Sequence, residues 1–261
     1  MKAIADMSSD EAAGIRFVLM DIDDTITRNG KLQPESYMAL WKLKGAGLKV
    51  IPITGRPAGW CDLIAREWPV DGVVGENGAF VFWEEHGKRR ELVHPNAVRN
   101  DHPVLNRIRA DAAKEVPEIR IATDQFARLF DLALDFAEEE PFLPLSDAQR
   151  IRDIALRAGA QAKISSIHVN VWMGAYDKCT MTEYFLHEHF GWDPVNEDRA
   201  VFFVGDSPND EPMFSRFPLT AAVANIRRYE NYLHHYPALV SVRECGEGFA
   251  EIVDTILQKR I

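Results

Sequence analysis

The chain is poor in cysteine, carries no surplus of positive charge and has no long apolar run. Its three cysteines, Cys61, Cys179 and Cys245, are far apart and odd in number. They show no zinc-ligand spacing, so reduced and partly buried thiols are expected rather than a disulfide framework or a metal knot. Lys and Arg number 30 against 40 Asp and Glu, a formal net charge of −10. That balance argues against a general nucleic-acid partner, because phosphate backbones attract basic surfaces. No apolar stretch approaches a membrane span, and the segment from Met1 to Gly14 is too polar and acidic for a signal peptide. No membrane partner is expected, and the expected location is cytoplasmic. The eight histidines show no ligand spacing.

Against those absences stands one dense stretch, Phe17-Val18-Leu19-Met20-Asp21-Ile22-Asp23-Asp24-Thr25-Ile26-Thr27. Four apolar residues read as a short buried strand, and three carboxylates and two hydroxyls gather at its end. Adjacent carboxylates are costly unless a cation, a shared proton or hydrogen bonds compensate them. A hard divalent cation with oxygen ligands would do so, and Mg²⁺ suits a site that also takes phosphate. Strand alternation puts Asp21 and Asp23 on one side and Ile22 on the other. Asp24 reads as a turn residue.

Similar endings recur. Pro34 opens a helix that closes at Gly45 or Gly47, and Leu48 to Ile53 forms a second buried strand ending in Thr54-Gly55-Arg56. Pro52 is awkward in a central strand. A helix with Trp60, Leu63, Ile64 and Trp68 follows, then short strands around Glu76-Asn77-Gly78. This strand–helix alternation is that of a parallel sheet covered by helices. From Glu85 the rhythm changes. A hairpin at Arg90 to Val93, two helices and alternating strands at Arg128 to Phe136 and Ala162 to Trp172 read as a separate inserted unit. The parallel rhythm returns with a helix to Phe190, a strand at Ala200 to Val204 and its ending Gly205-Asp206-Ser207-Pro208-Asn209-Asp210. The expected fold is therefore α/β, a Rossmann-like parallel-sheet core (1–84 and 173–261) with an inserted α+β cap (85–172).

If the three strand ends lie side by side, they converge on one crevice. The groups assembled there suit phosphoryl transfer: a carboxylate nucleophile, a second carboxyl for proton transfer and further acids for Mg²⁺. Lys178, at the start of a helix, supplies a cation for the phosphate. Lys163 is its rival, but falls inside the inserted unit.

The Asp-x-Asp-x-Thr ending, the Thr-Gly-Arg, a lysine before a helix and Gly-Asp-x-x-Asn-Asp, in that order, resemble the haloacid dehalogenase superfamily. The insertion, preceded by Asn77-Gly78-Ala79, is similar to the subgroup with a large α/β cap. That subgroup includes Cof-type sugar phosphatases, sucrose phosphatase, mannosyl-3-phosphoglycerate phosphatase and phosphomannomutase. The resemblance covers roughly Phe17 to Phe82 and Ala175 to Ile256. It implies that Asp21 is a nucleophile forming an aspartyl phosphate and that Asp23 serves as acid and then base. It implies further that Thr54 and Lys178 hold the phosphoryl oxygens and that Asn209 sits near the phosphate. Mg²⁺ would be held by the carboxylates of Asp21 and Asp206 and the backbone carbonyl of Asp23, with Asp210 bound directly or just behind. Thr25, Gly55, Arg56 and Asn77 are further candidate substrate contacts.

In the inserted unit, Ile167, Val169 and Val171 share one strand face, and Ser166, His168, Asn170 and Trp172 share the other. Asp131 and Asp135 oppose the apolar face of their own strand. With helices over the apolar faces, the polar faces would form an open surface, which the resemblance implies looks down on the site. Asp131, His168 and Asn170 are then candidate contacts for a polyhydroxylated leaving group. The expected partner is a small phosphorylated metabolite, sugar phosphates foremost, and the expected state is monomer or homodimer. A phosphomannomutase-like phosphotransferase and a non-catalytic phosphate-binding regulator are the alternatives.

Overall fold

The computed structural model describes residues 1–260 of the chain. Strands β1 (Lys2–Ala3) and β2 (Phe17–Asp21) flank helix α1 (Ser9–Gly14). A small antiparallel pair, β3 (Thr27–Arg28) and β4 (Lys31–Leu32), leads to α2 (Pro34–Gly45) and β5 (Lys49–Ile53). Next come α3 (Ala58–Glu67), β6 (Val73–Gly75), β7 (Phe80–Glu85) and β8 (Lys88–Val93). The middle of the chain gives α4 (Pro103–Glu115), β9 (Arg120–Ile121), β10 (Asp131–Asp135), α5 (Leu145–Arg157), β11 (Gln161–Ile164) and β12 (His168–Trp172). The chain then runs through α6 (Lys178–Phe190), β13 (Val201–Gly205), α7 (Glu211–Arg216), β14 (Leu219–Ala222), β15 (Leu239–Val240) and α8 (Cys245–Lys259).

Nine strands make one sheet in the order β1-β15-β14-β13-β2-β5-β6-β7-β8, parallel except at β6–β7 and β7–β8. β2 lies near its centre and is buried along its whole length. Its side chains alternate between two cores, as in a strand covered on both faces. Val18 and Met20 pack with α2, α3 and α8 through Leu40, Ile64 and Phe249. Phe17 and Leu19 pack with α6 and α7 through Phe185 and Phe214. The expected α/β architecture is therefore present.

Pro52 does not end β5, which pairs with β2 through Ile53. The even-numbered residues of β5 turn their backbone toward β6, where pairing is sparse: the Val50 N–H goes to Asp71 Oδ2 and the Thr54 N–H to Val74 O. A proline there removes little from the ladder.

A second sheet, in the order β11-β12-β10-β9, is antiparallel and has its own core with α4 and α5, formed by Leu105, Ile108, Leu134, Ile151 and Val169. The change of sheet does not fall at Glu85. The β7–β8 hairpin continues the edge of the large sheet to Val93, because backbone pairing carries the chain back along β7 before it crosses over. The polar face of the second sheet is not open either. Asp131, Asp135, His168, Asn170 and Trp172 are all buried, and Asn170 lies against Gly55 just past the end of β5.

Glu76 fastens the two layers. Its carboxylate accepts the N–H of Ala58 in the large-sheet layer and those of Leu129, Phe130 and Asp131 at the start of β10, at 2.6–3.2 Å. Arg128 adds a bond from Nη1 to the Gly55 carbonyl at 3.1 Å and pairs with Asp131 and Asp124. Burial, with Asp131 adding repulsion, pushes the Glu76 carboxyl up to about 7, against the pull of its backbone donors. Glu76→Ala would strand several buried N–H groups, each costing about 1–3 kcal/mol when unpaired. Urea unfolding at constant pH should show a loss of at least ~2 kcal/mol on that principle. An unchanged midpoint would show that the layers do not depend on this carboxylate.

Candidate active site

β13, β2 and β5 are neighbours, so their carboxyl ends open onto one crevice. Asp21 closes β2, and Asp206 and Asp210 follow β13. Lys178 Nζ stands 2.5 Å from Asp21 Oδ1 and 3.7 Å from Asp210 Oδ1. Asp21, Asp206 and Asp210 each offer an oxygen, and these atoms lie within 4.8 Å of one another. Asp210 Oδ2 accepts the N–H of Asp206 at 3.0 Å, which anchors the turn. Only glycine fits at position 205, where a Cβ would come 2.4 Å from that same oxygen.

Burial raises the Asp21 carboxyl to about 7, with Lys178 opposing and Asp210 and Asp23 adding to the rise. Burial, then Asp210 and Asp21, pushes Asp206 well above the carboxylate range. Lys178 is shifted up: burial disfavours its charge, but Asp21 and Asp210 more than reverse that. Three buried carboxylates with one lysine are short of positive charge, and Asp210 Oδ1 has no hydrogen-bond partner. A donor set of hard oxygens, one of them unclaimed, fits a divalent cation.

The lysine is placed by its helix terminus. Asp177 caps α6, its Oδ1 taking the Thr180 N–H at 2.8 Å, and Lys178 is the first helical residue. The Glu76-Asn77-Gly78 turn presses on this point. Gly78 has φ of 108°, and a Cβ there would lie 2.0 Å from the Asp177 carbonyl oxygen. Glu76 and Asn77 also take positive φ, 43° and 57°, which is uncommon for residues with a Cβ.

Thr54 is buried, and its hydroxyl oxygen accepts the Arg56 N–H at 3.1 Å, leaving its own proton to donate. Arg56 lies over the Trp60 ring and pairs with Asp23 through Nη2 at 2.7 Å and Nε at 3.2 Å. Burial disfavours the Arg56 charge, and Asp23 more than restores it. Asp23 itself is half exposed and stands outside the three-carboxylate cluster, so its carboxylate is not among the clustered oxygens. The strand ends at Asp21, and a turn rather than strand alternation carries Asp23 to the rim.

Several candidates serve differently from their sequence reading. Thr25 is fully buried and donates to Asp206 Oδ1 at 3.2 Å, so it orients that carboxylate instead of touching substrate. Asp131 is fully buried against Arg128, which the sequence marks only as the first residue of its strand. His168 is bound to Glu138 at 2.7 Å. Trp172 is buried, with its Nε1 on the Tyr176 carbonyl, so stacking on a ligand is closed to it. Asn77 and Asn170 remain available, both buried and each with an unpartnered amide atom, Nδ2 and Oδ1 respectively. They flank Gly55: a Cβ there would lie 3.1 Å from Asn77 Oδ1 and 3.5 Å from Asn170 Nδ2. The Asn209 carbonyl, at the mouth of the crevice, accepts Lys163 Nζ at 2.6 Å. Lys163 thus reaches the site from the second sheet.

Residues 18–102 match the family model for haloacid dehalogenase-like hydrolases. The chain matches no curated protein sequence. In structure it is similar to a protein from Thermoplasma acidophilum, with TM-score 0.72 and 19% identity over 93% of this chain and 98% of that one. A protein from Plasmodium vivax described as HAD/COF-like is similar with TM-score 0.70 and 19% identity, over 96% and 99%. A phosphatase of the same superfamily from Bacteroides thetaiotaomicron is similar with TM-score 0.63 and 18% identity, over 93% and 95%. The family match takes in Asp21 and Arg56, and the rest of the chain completes the same fold around them. Residues 18–102 thus match the haloacid dehalogenase-like hydrolases, and the chain as a whole shares the fold of these similar structures.

Proposed function

We propose that the chain is a Mg²⁺-dependent phosphatase that hydrolyses a small phosphorylated metabolite through an aspartyl phosphate on Asp21. The observation that carries this reading is the convergence of Asp21, Lys178, Asp206 and Asp210 at adjacent strand ends. The carboxylates of Asp21, Asp206 and Asp210 would hold the ion, which when bound offsets negative charge on the carboxylates and the phosphoryl oxygens. Asp21 attacks phosphorus, forming the aspartyl–phosphorus bond as the ester bond breaks. The Asp23 carboxyl gives its proton to the departing oxygen. Water then attacks the same phosphorus and yields its proton to Asp23, which frees phosphate and regenerates Asp21.

Thr54 and Lys178 hold the phosphoryl oxygens through the transfer, where fixed donors matter most. Arg56 holds Asp23 at the rim until substrate arrives. The amides of Asn77 and Asn170 suit the hydroxyls of a sugar phosphate, the role that Asp131 and His168 cannot fill.

Wild-type protein with Mg²⁺ should release inorganic phosphate from a panel of phosphate esters. Asp21→Asn should lower kcat/KM by about 10³-fold or more, as for loss of a nucleophile. No phosphate release from any ester by folded, Mg²⁺-loaded protein would refute the reading.

Metal binding can be followed without turnover. Mg²⁺ at a hundred times its Kd should stabilise the folded state by ~2.7 kcal/mol, read as a rise in Tm. Asp206→Asn should weaken that response, and chelation should abolish both the response and the activity. A Tm indifferent to Mg²⁺ in wild type would remove the metal from the proposal.

A further inference from the structure

Lys163, on β11 of the second sheet, reaches the mouth of the crevice. Its Nζ donates to the Asn209 carbonyl, and among the described residues it forms no ion pair. An ammonium has three donor hydrogens, so two have no partner among the described residues. Burial, and Lys178 after it, brings its pKa down to about 8, with Asp210, Asp177 and Asp21 pulling the other way. Those groups belong to the catalytic crevice, so Lys163 faces into it.

Its cross-strand neighbour is Asn170, directly opposite in the β11–β12 register and on the same face. Asn170 is only 5% exposed. Its Nδ2, 3.5 Å from where a Cβ on Gly55 would stand, is the end that can donate to an anion, while its unpartnered Oδ1 can only accept. On its other side stands Ala133, which brings no polar group. Asn170 sits over Gly55 at the end of β5, and Lys163 sits over Asn209 beyond β13. β2 lies between those two strands, so the pair bridges the crevice above Asp21. A group leaving Asp21-bound phosphorus would face this row.

We propose that Lys163 and Asn170 form a subsite for a negatively charged group on the leaving side of the ester. The substrate would then be a phosphorylated hydroxy acid, or a sugar carrying a carboxylate or a second phosphate. This deepens the phosphatase reading and rests on it for the term "leaving group". An unpaired, half-buried ammonium is costly, and an anion beside it removes that cost. A neutral leaving group leaves it without a counter-charge.

The test uses two matched pairs, titrated calorimetrically into Mg²⁺-loaded Asp21→Asn protein: 3-phosphoglycerate against glycerol 3-phosphate, and glucose 1,6-bisphosphate against glucose 6-phosphate. Within each pair the carbon skeleton is shared and only the added charge differs. At least one charged partner should bind about tenfold tighter or more, as a charge-assisted bond allows. Which pair shows the gap tells carboxylate from phosphate. Adding Lys163→Ala should bring that ratio near one, while Lys163→Arg should keep most of it. A ratio near one in both pairs before Lys163 is changed would overturn the subsite, as would a ratio that survives Lys163→Ala. Equal loss for both partners would assign Lys163 to the phosphoryl group instead. Because binding needs no turnover, the two proposals fail separately. Phosphate release without a ratio leaves only the phosphatase, and a lysine-dependent ratio without release leaves only an anion-binding site.

Discussion

Asp21, Asp206 and Asp210 are crowded into one dry crevice with Lys178 among them, and this electrostatic deficit governs the rest of the structure. Carboxylates removed from water in such numbers would protonate or repel one another. Here each is restrained: Asp206 by Thr25, Asp210 by the backbone of its own turn, Asp21 by Lys178. The apolar runs of β2 and β13 make the restraint possible. They lie side by side, Val201 beside Phe17 through Val204 beside Met20, so the polar endings emerge together. A sheet less firmly packed would let the charges separate.

The same need for positive charge explains why the crevice is roofed by a cationic side chain from the second sheet. Lys163 adds its charge to that of Lys178 at the crevice. Arg128, by contrast, is consumed in a buried network with Asp124 and Asp131. Removing one member of such a network leaves an uncompensated charge, which costs far more than an exposed pair does. Two basic residues from one inserted unit thus tie it to the large-sheet layer, and Lys163 also brings positive charge to the crevice.

The core was legible in the sequence because parallel strands buried on both faces read as unbroken apolar runs, and each run ended in an abrupt polar cluster. β1 and β15, of two residues each, are too short to leave a periodic trace. The polar face of the inserted sheet was legible as a face, since alternation says which residues point the same way. It does not say what that face meets. Asp131 and His168 were read as groups awaiting a ligand, whereas Arg128 and Glu138 already occupy them. That Lys163 falls inside the inserted unit says nothing of the fold-back that sets β11 over Asn209. The role of Glu76 left no signal at all, since its partners are main-chain N–H groups that every sequence supplies.

That last feature has a consequence for how the two layers can diverge. Glu76 grips amides of β10, Arg128 grips the Gly55 carbonyl, and Lys163 grips the Asn209 carbonyl. In each case one partner is a side chain and the other is peptide backbone, so the gripped surface can change its residues without releasing the grip. An exchanged inserted unit needs only an arginine and a lysine at the right places and a free run of amides. The joint is therefore modular, and new ligand-facing side chains can be grafted above Asp21 while the machinery below stays as it is.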